Sequence, residues 1–386
     1  MRRVLLTGAG GAIGRRVLDA LVRRPEVERI YLLGTVEEGM PCGGMDLVGA
    51  AGRAEILCVL GDLHRPHFGL HEAAFAALAE CADVVIHCAE RARLDHDLAA
   101  SRACNVAPVQ TLIELLRWTC QTRLVHLSTA WVAGTRRGLF TEFDLACGQR
   151  FCNAFEESKY EAECLLRDSE VAGRATIVRR SLVLRETGPA PGETANPTAP
   201  ETDELPLGPL LGRLARGRRM LLAGDPLAHL DLVPLGHLAE ALVTLANQPD
   251  AAGKTLHFVA GWPRSRSLGE IVEMARSRWG QDRTGPPKKV RFVPPALAFL
   301  VRGLRTLAPY LRQRCVFDDF LARGLLEPLG LACPAPETYL AQALGGFAAA
   351  AATAQSLEEE PTQAAGLAAA VSSVHPADRA ETSILM

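Results

Sequence analysis

Val4-Leu5-Leu6-Thr7-Gly8-Ala9-Gly10-Gly11-Ala12-Ile13-Gly14-Arg15-Arg16-Val17-Leu18 opens the chain and decides how the rest is read. A short apolar run meets glycines at 8, 11 and 14, and an apolar helical pattern follows. This is the order strand, tight turn, helix. Gly8 lets the chain turn sharply off the strand. Gly11 removes a Cβ where a pyrophosphate would approach, and Gly14 lets the helix pack against the strand. The backbone N–H groups at Gly11, Ala12 and Ile13 then sit at the positive end of the helix dipole, where an anion is favoured. The glycine spacing alone is weak evidence. Its place directly between a strand and a helix is the context that the motif requires.

The same alternation continues along the chain. Arg29 to Leu33 reads as the second strand, Glu55 to Leu60 as the third, Asp83 to Ala89 as the fourth, Arg123 to Thr129 as the fifth and Ala175 to Arg179 as the sixth. Helical patterns lie between them at Val17 to Leu21, Ala73 to Cys81, Ala99 to Thr119 and Glu156 to Asp168. Near-continuous apolar strands separated by helices predict an α/β fold: a doubly wound parallel sheet of the Rossmann type with ligands at the carboxyl ends of its strands. Residues 1–185 are assigned to this dinucleotide-binding domain.

Residues 186–206 are Pro-rich and acidic with no basic residue, and read as a loop, either on the substrate side or as a surface insertion. Residues 207–345 are assigned to a smaller C-terminal α/β substrate cap with C-terminal helices, some of whose strands are left free to return to the main sheet. It contains a basic helical stretch from Leu207 to Met220, Asp231 to Pro234, the helical Leu238 to Ala246, Leu256 to Val259 and the helical Leu268 to Trp279. Val293 to Leu311 is apolar with arginines interspersed, suiting a membrane surface, a lipophilic pocket or an ordinary packed helix. Residues 346–386 are Ala-rich and acidic, the composition of a disordered tail.

Composition excludes several classes. A formal charge of −2 in 386 residues gives no electrostatic case for nucleic acid. Eleven cysteines without paired Cys-x-x-Cys spacing predict reduced thiols in a cytoplasmic core and no metal site. No uninterrupted apolar run approaches the ~18 residues of a spanning helix. Lysine occurs only at 159, 254, 288 and 289, so a lysine inside a motif carries weight.

Thr7 to Gly14, Gly61-Asp62-Leu63, Val84 to Ala89, Asn105, Ser128-Thr129-Ala130 and Ser158-Lys159 together resemble the extended short-chain dehydrogenase/reductases, the NAD-dependent epimerase/dehydratase-like group. Leu127 to Val132 and Asp231 to Pro234 are most similar to the branch of fatty-acyl-CoA reductases, thioester reductases and 3β-hydroxysteroid dehydrogenases. The resemblance covers roughly residues 4 to 280. It implies that Asp62 accepts from the adenine amino group, that Leu63 helps hold the ring, and that His87, Cys88 and Ala89 pass beneath the ribose and phosphates. For His87 the preferred reading is a partly buried, hydrogen-bonded histidine with no chemical task. Asn105 is implied to brace the active-site helix. A homodimer is an inherited expectation.

Cofactor choice is read at the end of the second strand. Leu33-Gly34-Thr35-Val36-Glu37-Glu38 offers carboxylates and no arginine, which favours NAD. Arg15 and Arg16 keep NADP open.

The resemblance implies a catalytic Ser or Thr, a Tyr and a Lys, with the tyrosine four residues before the lysine. Thr129 and Lys159 match. The tyrosine position is Phe155, which has no proton to give. Three readings stay open. Hydride transfer to an activated ketone survives the loss of general acid catalysis, with Thr129, water at Lys159 or Tyr160 as proton source. Alternatively the substrate is an acyl thioester, or the protein is a dinucleotide-binding sensor or scaffold. The expectation adopted is a cytoplasmic NAD(P)H-dependent reductase, with peripheral membrane association left open. Its expected substrate is a lipophilic ketone of secondary metabolism, for example a prenylated quinolone.

Overall fold

A computed structural model describes residues 1–35, 54–90, 97–184, 220–262, 264–280, 290–293, 309–340 and 342–343. The expectations placed on 36–38, 186–206, Leu207 to Arg219, most of Val293 to Leu311 and the C-terminal tail lie outside these residues.

The chain begins with β1 (Arg3–Thr7), α1 (Ala12–Val22), β2 (Arg29–Gly34), β3 (Glu55–Leu60), α2 (Glu72–Cys81) and β4 (Val84–His87). It continues through α3 (Leu98–Asn105), α4 (Ala107–Arg117), β5 (Arg123–Thr129), β6 (Gly138–Phe140), α5 (Ala154–Arg167), β7 (Ala175–Arg180) and β8 (Leu182–Leu184). There follow β9 (Met220–Ala223), β10 (His229–Leu230), β11 (Leu232–Pro234), α6 (Leu235–Asn247), β12 (Thr255–Phe258) and β13 (Arg266–Ser267). The last elements are α7 (Leu268–Gly280), β14 (Val290–Val293), β15 (Cys315–Phe317) and α8 (Phe320–Leu326).

Seven parallel strands form one sheet in the order β12-β7-β5-β4-β1-β2-β3. The order reverses between β1 and β4, and that switch point is where an open α/β sheet leaves a crevice at its carboxyl ends. Alternation along each strand feeds two cores. Val4, Leu6, Ile30, Leu32, Val84 and Ile86 pack with α1 and α6. Leu5, Val85, Leu124 and Ile177 pack with Phe75 of α2, Val109, Leu112 and Leu116 of α4, and Ala162 and Leu166 of α5. Each fully buried aliphatic side chain contributes about 1.5–3 kcal/mol. Residues 235–258, assigned from sequence to the cap, thus contribute a helix and an edge strand to the main sheet.

A third core begins at Ala130, one residue past β5. It joins Trp131, Phe140, Leu184, Leu232, Ile271, Tyr310 and Phe317, among others. Small pairings of β11 with β8, β14 with β9, β15 with β6 and β10 with β13 accompany it.

Two expectations need correction. The single helix read from Ala99 to Thr119 is broken at Val106 (φ −102°, ψ −49°), between α3 and α4. Pro108 explains the break: it has no N–H to donate to Cys104, and its ring crowds the preceding turn. The expectation of reduced cysteines describes the buried free thiols Cys88, Cys315 and Cys333. Cys58 instead is disulfide-bonded. It sits exposed on the edge strand β3, where a thiol is not sequestered in the core. Among the described residues no helix is long and apolar enough to cross a membrane.

Candidate active site

The glycine turn at β1 is built for close approach. Gly8 has φ +76°, and a Cβ there would lie 2.5 Å from the Ala89 nitrogen; a Cβ on Gly14 would lie 1.9 Å from the Gly8 carbonyl oxygen. The turn closes with Gly11 N–H donating to the Gly8 carbonyl at 3.0 Å. Gly11 caps α1 without a side-chain hydrogen bond, and no acidic residue occupies the first turn. The helix therefore offers its first N–H groups and dipole to an anion rather than to its own side chains. Cys88 N–H donates to the Thr7 carbonyl at 3.2 Å, which fixes Cys88 and Ala89 against the turn. These residues fit a dinucleotide pyrophosphate.

At the carboxyl end of β3, Asp62 Oδ1 accepts from His64 N–H at 2.9 Å. Leu63 is buried beside it. One carboxylate oxygen thus braces the loop, the turn-capping role open to any aspartate in such a position.

The other end of the crevice is organised by α5. Asn153 Oδ1 accepts from Glu156 N–H at 3.0 Å, and Glu156 Oε2 accepts from Cys152 N–H at 2.8 Å, a reciprocal cap. Phe155 and Lys159 are four apart and share the buried face of the helix. Asn105 donates to Ser158 Oγ at 2.9 Å and so braces α5 from α3.

Lys159 is 1% exposed. Its Nζ donates to the Leu127 carbonyl at 2.6 Å and lies 3.1 Å from Glu90 Oε2. Glu90 Oε1 also pairs with Arg180 Nη2. Arg180 ends β7 in register with Thr129, and its Nη1 donates to the Ser181 carbonyl at 3.2 Å. Burial pushes the Glu90 carboxyl up, but Arg180 and Lys159 together hold it below its ordinary value. Thr129 is fully buried, and its Oγ1 accepts from Trp131 N–H at 3.3 Å.

Beneath this cluster lie neutral histidines. His87 Nδ1 is 2.7 Å from Thr7 Oγ1, and its ring stacks on His126 at 5.3 Å. Burial, with Lys159 nearby, pushes His87 down to about 3 and His126 well below its ordinary value. His87 is the buried, hydrogen-bonded histidine that the residues allowed. A second ionic layer joins Glu163 to Arg179 at 2.8 Å and to Ser128 Oγ at 2.5 Å.

The fold therefore brings Thr129, Phe155 and Lys159 to the carboxyl ends of β4, β5 and β7, with Gly8, Cys88 and Ala89 at the switch point. Asp62 and Leu63 lie two strands beyond β1. Tyr160, by contrast, packs on Phe151 at 5.1 Å and on the third core. Glu90 and Arg180 were not singled out from sequence. A signal exists for the arginine: Arg179 and Arg180 end an otherwise apolar strand, and buried charges require partners. Nothing local marks Glu90 as one of them.

Residues 6–242 match the family model described as male sterility protein, an NAD-binding family. The L-2-aminoadipate reductase large subunit of Penicillium chrysogenum is 27% identical over 289 residues, 68% of this chain and 20% of that protein. The fatty acyl-CoA reductase wat of Drosophila melanogaster is 28% identical over 154 residues, covering 36% of this chain and 30% of that one. This chain therefore spans a fifth to a third of these relatives. The crystal structure of the terminal R domain from the myxalamid PKS-NRPS biosynthetic pathway superposes with a TM-score of 0.68 at 24% identity, over 92% of this chain and 91% of that one. That likeness shows the fold. The names of the two curated relatives support the acyl-reductase alternative and lend none to a quinolone-type ketone.

Proposed function

The chain belongs to the NAD-binding male sterility protein family and is by that membership an NAD(P)-dependent oxidoreductase; on that premise we propose that it reduces a lipophilic acyl thioester to an aldehyde. The observation that carries this reading is Phe155, 3% exposed, at the place where a phenol would stand four residues before Lys159.

A ketone and a thioester make different demands on that position. Hydride addition to either carbonyl leaves negative charge on oxygen. The ketone adduct becomes product only when the alkoxide is protonated, which is the general acid's task. The thioester adduct re-forms its carbonyl and expels a thiolate, whose conjugate acid has a pKa of about 8.5, so no donor of proton to oxygen is required. A bound reduced nicotinamide dinucleotide supplies the hydride. Thr129 and Lys159 hold the substrate oxygen and the nicotinamide ribose, and the Gly8–Gly14 turn holds the pyrophosphate. Asp62 and Leu63 seat the adenine. The carboxylates Glu37 and Glu38 favour NADH over NADPH. Fatty acyl-CoA and reductase-domain relatives make secondary metabolism a fitting setting.

Incubation with octanoyl-N-acetylcysteamine and NADH tests the reading. One octanal, trapped as its oxime, is expected for each NADH oxidised; NADH binding without aldehyde would favour the sensor reading.

A further inference from the structure

We propose that a groove at the amino ends of β7 and β12 binds an anionic amphiphile, an alkyl chain ending in a carboxylate, at a site separate from the catalytic crevice. The proposal does not rest on the thioester reading.

Two hollows meet there. The first, of about 350 Å³, runs past Ala175 and Thr255, the opening residues of β7 and β12, and has Leu166 and Ile177 among its apolar walls. The second, of about 480 Å³, lies along α8 and is lined by Phe320, Leu321 and Leu325. Lys254 and Leu321 line both, so the two adjoin. Each volume falls within the ~300–1,000 Å³ typical of sites for small organic ligands. Each hollow also carries a large aromatic side chain left in water, Phe143 at 75% exposure in the first and Phe320 at 68% in the second. Apolar surface gathered around a groove gains free energy when a ligand covers it.

Charge selects the ligand. In the first hollow Arg167 Nη2 donates to Thr255 Oγ1 at 2.9 Å, and Lys254 Nζ donates to the Asp250 carbonyl oxygen. Neither cation has a carboxylate partner among the described residues. Burial and then repulsion from Arg179 push the Arg167 guanidinium below its ordinary value, and Glu163 offsets this only in part. A half-buried cation in that position is stabilised by an approaching anion. The other charges nearby do not take that place. Glu142 is 2% exposed and accepts from the N–H groups of His257, Leu321 and Ala322. Arg323 is already paired with Asp319 at 3.4 Å, and Glu327 lines the second hollow alone.

A carboxylate between Arg167 and Lys254 meets two cations, and the Thr255 hydroxyl has its own proton left to donate. Its chain then runs past Leu321 to cover Phe320 and Leu325. Thr129 and Arg180 stand at the carboxyl ends of β5 and β7, the opposite end of the sheet, so this site and the cofactor crevice can be filled together.

The test titrates the full chain, saturated with NADH, with dodecanoate below its micelle concentration, and with dodecanol. Dodecanoate is expected to bind at least about tenfold more tightly than dodecanol. Arg167→Gln and Lys254→Gln are each expected to weaken dodecanoate by about tenfold or more, and Arg167→Lys by less. Retained NADH binding in these variants reports an intact fold. In nucleotide-free protein, 11-bromoundecanoate is expected to quench the added fluorescence of Phe320→Trp, which places the chain in the second hollow. Dodecanol bound as tightly as dodecanoate, an unquenched Phe320→Trp signal, or undiminished dodecanoate binding in the two folded glutamine variants overturns the inference. Binding to phosphatidylglycerol vesicles without binding of monomeric dodecanoate overturns it too, and makes this face a membrane contact.

Discussion

The Glu90 carboxylate lies 3.1 Å from Lys159 Nζ, with both side chains 1% exposed. Lys159 therefore does not depend on a neighbouring phenol for its placement. Removing either partner has unequal consequences. Glu90→Ala removes the carboxylate that two buried cations share and is expected to destabilise the protein by about 3–5 kcal/mol. Lys159→Met leaves Glu90 paired with Arg180 and is expected to cost less than about 2 kcal/mol while abolishing most turnover. Urea denaturation of the two variants checks the order; equal losses would contradict it.

Phe155→Tyr restores a phenol four residues before Lys159. General acid catalysis contributes on the order of 10²–10⁴ in rate where protonation limits the reaction. The substitution is expected to raise reduction of 2-decanone at least tenfold and thioester reduction less than threefold. Parallel steady-state assays of the two substrates make the comparison.

The glycine turn admits no side chain. Gly8→Ala must relieve a 2.5 Å approach to Ala89 at φ +76°, and Gly14→Ala a 1.9 Å approach to the Gly8 carbonyl. Both are expected to raise the Kd for NADH more than tenfold in fluorescence titrations, and wild type is expected to bind NADH more tightly than NADPH. Tighter NADPH binding would transfer the preference to Arg15 and Arg16.

Glu156 links the active-site helix to pH. Burial pushes its carboxyl up to about 7, against hydrogen bonds from Cys152, Tyr310 and Asn153 that lower it. Its folded value thus exceeds the unfolded value near 4.5, and the folded state holds the proton more tightly. The associated stability is fully present below about 4.5 and is lost as pH rises to about 7, by at most about 3 kcal/mol for this group. Glu156→Gln is expected to flatten the fall in melting temperature between pH 5 and 7.5. An unchanged slope would show that Glu156 does not carry it.

Most of the sheet was legible in the sequence because each buried parallel strand is a short apolar run, and Gly8 to Gly14 marks the switch point directly. The α3–α4 break was also encoded, in Pro108, but an amphipathic pattern running across it hides the interruption. Glu90 and Arg180 were not legible for a different reason. They are ninety residues apart and meet only because β4 and β7 flank β5. Register across three strands, not local spacing, makes them partners. Phe155 is legible as a lost proton donor because it stands four residues before Lys159.

The most direct measurement is the ratio of kcat/KM for octanoyl-N-acetylcysteamine to that for 2-decanone, with NADH and the wild-type protein. The account predicts a ratio above 100 with octanal as the first product. A ratio below one, with 2-decanol formed at Phe155-bearing sites without help from a phenol, would contradict it.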